Sequence, residues 1–167
     1  MNQAHLHLMI VHIPIILVPM ALILYLIGYR WSSKPLKLVA LNTFVLASVF
    51  AGFAYLLGEG AEEIVEDMAG IAESVIESHE ESATIALWLT IVLGFASIAN
   101  LLSLKYKTEI ARILVIPIIL LGAVSSGALA YTAQEGGRIR HSEAFEQNVS
   151  DKKSTGNTSD AQGHSTR

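Results

Sequence analysis

Four long apolar runs divide the chain, at about residues 6–27, 36–57, 82–104 and 112–133. Each has the roughly 20-residue length that an α-helix needs to cross a bilayer core about 30 Å thick. The polar residues inside them are few, among them Asn42, Thr43, Ser48, Thr84, Thr90, Ser97, Asn100, Ser125 and Ser126. Inter-helix hydrogen bonds and close packing account for such side chains. Pro14 and Pro19 fall inside the first run. A helix that began at Pro14 would reach only about 21 Å by Ile27. The first span is therefore expected to begin before His12 and to carry both prolines internally, as membrane helices allow. His12 then lies about 9 Å beyond Leu6, buried in the hydrocarbon zone.

Between the second and third runs the pattern changes. Ile64, Val65, Met68, Ile71, Ala72, Val75 and Ile76 recur at helical steps, with Glu62, Glu63, Glu66, Asp67, Glu73 and Glu77 on the remaining positions. This predicts an amphipathic helix over about 61–77, lying on the outer surface of the bundle. Its acidic face is a solvated surface on the plain reading, and a docking surface for a basic partner such as a periplasmic cytochrome on the sharper one. Ser78-His79-Glu80-Glu81 reads as a capping box that opens the third span, with Ser78 as N-cap and Glu81 at N3. Gln134-Glu135-Gly136-Gly137 reads as a helix stop after the fourth. Residues 142–167 are polar and aperiodic, and read as a disordered tail containing His164. The expected fold is all-α: an integral membrane four-helix bundle over residues 1–141 with an extra extracytoplasmic amphipathic helix.

Composition agrees. Of 167 residues, 52% are hydrophobic and 16% charged, against roughly 25% charged in soluble domains. There is no cysteine, which excludes disulfides, thiolate metal sites, iron–sulfur clusters and covalent C-x-x-C-H haem attachment. The net charge of −4 offers no footprint for nucleic acid. The N-terminus lacks the positive region and small-residue site of a cleavable signal peptide.

Charge also orients the spans. Arg30, Lys34 and Lys37 occupy the first loop and Lys105, Lys107 and Arg112 the third, whereas the second loop holds nine acids from Glu59 to Glu81 and no Lys or Arg. The positive-inside rule places the two basic loops in the cytoplasm and both termini outside. Arg138 and Arg140 oppose this and are outnumbered six to two.

With that topology, five of the six histidines fall in one outer layer: His5, His7 and His12 on the first span, His79 at the head of the third, and His141 just past the fourth. Imidazoles in an apolar bundle suit axial ligation of b-type haem, which four-helix bundles hold between facing helices. Small residues that could line a slot are Ala47, Ser48, Ala51 and Gly52 on the second span, and Gly122, Ala123, Ser126, Gly127 and Ala130 on the fourth. Close helix packing explains them equally. Arg138, Arg140 and Tyr131 lie where haem propionates would need partners. The alternative is a non-haem iron, copper or zinc site, or a metal-transport site, with Glu59, Glu62, Glu80 or Glu135 as further ligands. The few methionines (Met9, Met20, Met68) are unclustered, which weakens a copper reading. A third reading is a structural subunit in which the histidines are incidental. His5 and His12 share a helix face, while His7 is about 140° from His12, so one cofactor does not take both. His5 reads as a solvated terminal residue. The candidate ligands are His7, His12, His79 and His141, as one or two pairs.

The motif His7-Leu-Met-Ile-Val-His12-Ile-Pro14-Ile resembles the opening H-P-x-x-V-H-F-P-I of a domain-of-unknown-function family of bacterial four-span membrane proteins suspected of binding b-type haem. Leu8 and Ile13 stand where that family has proline and phenylalanine. His79 matches a recurring histidine of the family, and Gly136-Gly-Arg-Ile-Arg-His141-Ser-Glu143 resembles the G-G-x-I-R-H-x-E ending of part of it. The resemblance covers residues 5–143. It implies a cytoplasmic-membrane protein with one or two haem b groups, held by these histidines with Arg138 nearby. Bis-histidine ligation fills both axial positions, so the implied role is electron transfer near the outer face rather than oxygen chemistry. Such a carrier needs a periplasmic cytochrome or a membrane redox partner, and a homo-oligomer is compatible with it.

The topology is open to direct measurement. A phosphatase reporter that is active only outside the cytoplasm should be silent when fused after Ser33 or Lys107, and active when fused after Asp67 or Glu143. The reverse pattern would invert the bundle.

Overall fold

The computed structural model describes residues 3–66, 73–106 and 109–140. The described chain is helical throughout, apart from the turn at 31–33 and the single residues Glu109 and Leu114. It forms α1 (Gln3–Arg30), α2 (Lys34–Glu66), α3 (Glu73–Tyr106), a short α4 (Ile110–Ile113) and α5 (Val115–Arg140). Four segments, His5–Arg30, Lys34–Gly58, Ser74–Tyr106 and Ile110–Arg138, are long and apolar enough to cross a membrane. The all-α four-helix architecture stands as read from the sequence.

Pro14 and Pro19 both sit inside α1. Pro117 acts differently. It has no N–H for the carbonyl of Ile113, and its ring crowds that oxygen. The fourth span breaks there, leaving α4 and α5 joined through Leu114, which keeps right-handed helical angles. The turn after α1 is a Schellman motif. Ser33 N–H donates to Gly28 O at 2.8 Å and Ser32 N–H to Tyr29 O at 3.2 Å. Ser32 takes the left-handed position at φ 53°, where glycine is the usual residue.

Three local expectations are corrected. The segment 61–77 is not an independent helix lying on the bundle, because residues 61–66 continue α2 and 73–77 open α3. Residues 67–72 lie outside the described residues. At 33 and 34 residues, α2 and α3 are each about 50 Å long and overshoot a hydrocarbon core of about 30 Å. Ser78 is not an N-cap, since α3 begins five residues earlier at Glu73. Gly136 and Gly137 do not stop α5, which runs through them to Arg140. The expected tail, 142–167, lies outside the described residues.

The helices form a ring in the order α1, α2, α3, α5, with α5 closing on α1. Among the described residues, the backbones of the diagonal pairs stay apart and only side chains bridge them, as Asn100 does to Tyr25. Val18, Tyr25, Leu41, Phe44, Leu93 and Ile118 form the centre of the core. Large apolar side chains such as Ile16, Phe53, Trp88, Phe95 and Leu120 cover the outside. An apolar exterior around an apolar interior suits a chain surrounded by lipid.

Most buried hydroxyls of the spans bond to their own helix, whereas Ser125 Oγ is buried without a hydrogen-bond partner. Thr90 donates to Ala86 O at 2.7 Å and Ser97 to Leu93 O at 2.8 Å. At the basic end, the buried Asn100 amide donates to Tyr25 Oη at 3.1 Å and to Ala111 O at 3.4 Å. This ties α3 to α1 and α4. Lys37 lies 4.7 Å from the Tyr29 ring centroid, a cation–π contact at the water boundary.

Gly94 sets the closest approach of α2 and α3, because a Cβ there would run into the Ser48 side chain. Gly94→Ala should destabilise the bundle by about 1–3 kcal/mol through overpacking, read as a lower midpoint in detergent thermal unfolding. Ser48→Gly in the same chain should restore much of the loss. Equal stability of the Gly94→Ala protein and the parent would remove this contact as a constraint.

Candidate functional site

At the end of the bundle where α1 begins and α5 ends, α1 and α3, which are diagonal partners in the ring, each present a half-buried histidine. His7 on α1 approaches α2, where its Nδ1 lies 2.8 Å from Ala54 O. His79 on α3 approaches α5, where its Nδ1 lies 3.1 Å from Thr132 O. A carbonyl oxygen only accepts, so in both rings Nδ1 carries the hydrogen and donates it. In the neutral rings this is the Nδ1–H tautomer, in which Nε2 keeps its lone pair. A backbone carbonyl holding the far nitrogen of an imidazole is how ligating histidines are commonly oriented.

The two contacts repeat one device. Four residues after Ala54 comes Gly58, and four residues after Thr132 comes Gly136. A Cβ on Gly58 would lie 3.4 Å from His7 Cε1, and one on Gly136 would lie 3.1 Å from His79 Cε1. Each ring thus rests over a glycine to reach a carbonyl one helical turn earlier. The hairpin α1–α2 and the hairpin α3–α5 carry the device at matching places, so the bundle is approximately two-fold in this layer. Just beneath, Tyr55 Oη and Thr84 Oγ1 are 3.1 Å apart and link α2 to α3.

Glu135 breaks the symmetry. It is 2% exposed and receives both contacts of Arg138 Nη1, at 3.1 and 3.0 Å. Ser78 Oγ also donates to it, at 3.4 Å. A buried carboxylate needs such partners. Glu135 lies near His79. Among the described residues, no group of three or more His, Cys, Asp or Glu side chains is placed to hold a metal ion.

The sequence-expected residues separate accordingly. His7 and His79 lie at the same end of the bundle, on diagonal helices. His12 does not join them and is not buried: its side chain lies on the exposed face of α1, with Nδ1 turned back 2.6 Å to Leu8 O. The helical turn between residues 7 and 12 carries it to the outside, so depth along the helix did not translate into burial. Arg138 stands at the site but is engaged by Glu135. Arg140 is in α5, with its side chain outside the description, and His141 lies outside the described residues. Tyr131 is exposed. Reading the sequence missed Gly58, the Ala54 and Thr132 carbonyls and the burial of Glu135. The one available signal was a histidine near the head of each hairpin answered by a glycine near its end.

No protein-family model, curated protein or solved structure matches the chain. The geometry of this layer therefore carries the functional reading.

Arg138→Ala should leave the Glu135 carboxylate buried with Ser78 as its remaining partner, at a cost on the order of 1–3 kcal/mol. Adding Glu135→Gln should recover part of that loss, because an amide is cheaper to bury than a carboxylate. Thermal unfolding of the single and double variants measures the difference. Additive losses would mean that the ion pair is not what holds the carboxylate.

Proposed function

We propose that this protein is a membrane-bound b-type cytochrome in which His7 and His79 are the axial ligands of one haem, transferring electrons near the extracytoplasmic face. The observation that supports this most directly is the matched pair of carbonyl-held imidazoles from diagonal helices, each with Nε2 bare in its neutral form. Haem requires only two protein ligands, because the macrocycle supplies the other four. A bare transition ion of the zinc or copper type takes three or four protein donors. No third donor is gathered here among the described residues, and Glu135 is held by Arg138. The haem reading is therefore favoured over the non-haem alternative.

Haem bound here would supply reversible one-electron chemistry with both axial positions filled. The residues of the chain do the rest. Ala54 O and Thr132 O hold the rings in orientation, and Gly58 and Gly136 make room for them. Arg138 has N–H donors beyond those given to Glu135, and these are available to a propionate. The motif resemblance at His7, His79 and Arg138 points the same way. In this reading the protein spans a bacterial cytoplasmic membrane four times, with both termini and the acidic ends of α2 and α3 outside. A basic periplasmic electron carrier fits that acidic end, where Glu77, Glu80 and Glu81 are exposed on α3.

The test is spectroscopic. Purified protein should show a sharp α-band of b type on dithionite reduction, at one haem per chain. His7→Ala and His79→Ala should each abolish or greatly weaken it, while Gly136→Ala should lower haem occupancy by pressing on the His79 ring. A colourless protein with stoichiometric metal would turn the reading to a non-haem site. Full haem binding by both histidine variants would end the assignment.

A further inference from the structure

The turn between α1 and α2 gathers positive charge that the chain does not balance. Arg30 ends α1, and Lys34 and Lys37 stand in the first turn of α2, which carries no acid. The N-terminus of a helix is its positive end and favours an anion. Two lysines in that turn oppose the helix dipole. Among the described residues, the one carboxylate at this end of the bundle is Glu109, beside α4. It pairs with Arg112 at 3.8 Å. Among the described residues, none of Arg30, Lys34 and Lys37 is paired with a carboxylate.

The two helices touch here, so the three cations share one surface. A Cβ on Gly28 would lie 2.9 Å from Lys37 N and 3.0 Å from Leu36 Cβ. The Lys37 ammonium reaches across from α2 to the ring of Tyr29 on α1. Arg30, Trp31 and Lys34 are exposed around it. Toward the middle of the span the surface continues into exposed apolar side chains, Ile23 and Leu26 on α1 and Val39 on α2. Cations at the water boundary, aromatic rings beside them and an apolar track beneath follow the order of groups in a phospholipid. Phosphate, ester region and acyl chains meet them in turn.

We propose that the α1–α2 turn binds an anionic phospholipid, with its phosphate among Arg30, Lys34 and Lys37 at the start of α2 and its acyl chains along Ile23, Leu26 and Val39. The bilayer thus supplies the anion that the first turn of α2 lacks. A zwitterionic headgroup brings its own cation into a surface that already holds three, so the site selects a headgroup of net negative charge. The inference does not rest on haem binding, since its readout is retained lipid.

The full chain in mild detergent, mixed with equimolar phosphatidylglycerol and phosphatidylcholine, should retain phosphatidylglycerol preferentially when bound lipid is counted by native mass spectrometry. Lys34→Gln and Lys37→Gln should each lower that preference about fivefold, the weight of one cation at a membrane surface. Lys37→Arg should keep it. Pro35→Glu, which puts an acid into the first turn of α2, should lower it as well. Lys105 is the matched control, because it too lies over a tyrosine ring, that of Tyr106 at 5.7 Å. Lys105→Gln should leave the preference unchanged. Equal retention of the two lipids by the parent protein would overturn the proposal. So would an equal loss in Lys105→Gln, which would assign the preference to diffuse positive charge. Release of the bound lipid by excess inorganic phosphate would also overturn it, by reducing the surface to a phosphate site.

Discussion

Each site imidazole is held by a single kind of interaction: Nδ1–H given to a backbone carbonyl of the neighbouring helix, across a glycine. That contact depends on two properties of helices. A helical carbonyl already bonded to the N–H four residues on has a second lone pair to offer. It is normally screened by the side chain of that same later residue, and glycine removes the screen. His7 with Ala54 and Gly58, and His79 with Thr132 and Gly136, both exploit this. The result, in the neutral rings, is two Nδ1–H imidazoles with their Nε2 lone pairs uncommitted. Everything proposed for the layer follows from that state.

The bundle around the layer is built to keep it in place. Gly94 lets α3 close on α2. Asn100 and Tyr25 close the opposite end through a buried hydrogen bond. The lone pairs and hydroxyls of the spans are otherwise turned inward on their own helices, as at Thr90 and Ser97. Apart from Ser125 Oγ, buried without a partner, polar capacity is largely used up outside the histidine layer, where Glu135, Arg138 and Ser78 add a charged network beside one of the two rings. That asymmetry makes the two imidazoles chemically unequal within a nearly symmetric frame. In a redox centre, it would place the tuning charge on the His79 side.

The number of spans, their approximate limits and the all-α class were legible in the chain, because apolar length is what a bilayer reads. The tolerance of Pro14 and Pro19 inside α1 followed from span length in the same way. That His5, His7, His12 and His79 fall toward one end of the bundle was legible as well, since it depends only on the alternation of the spans. Local punctuation was less reliable. Ser78 and Gly136 have the residue types of a cap and a stop, but α3 and α5 run straight through them. Both residues serve tertiary contacts instead, Ser78 to Glu135 and Gly136 beneath His79.

What the sequence determined by itself is the amount of apolar chain, its division into four crossings, and the depth of each histidine along its helix. What only the tertiary structure decided is direction. Helical phase puts His7 inside and His12 outside although they share a helix and a motif. The order of the helices in the ring sets α1 opposite α3, with His7 and His79 at the same end. Depth is a property of position in the chain and sums along it. Facing depends on which neighbours surround a helix, and no residue of α1 carries that information alone.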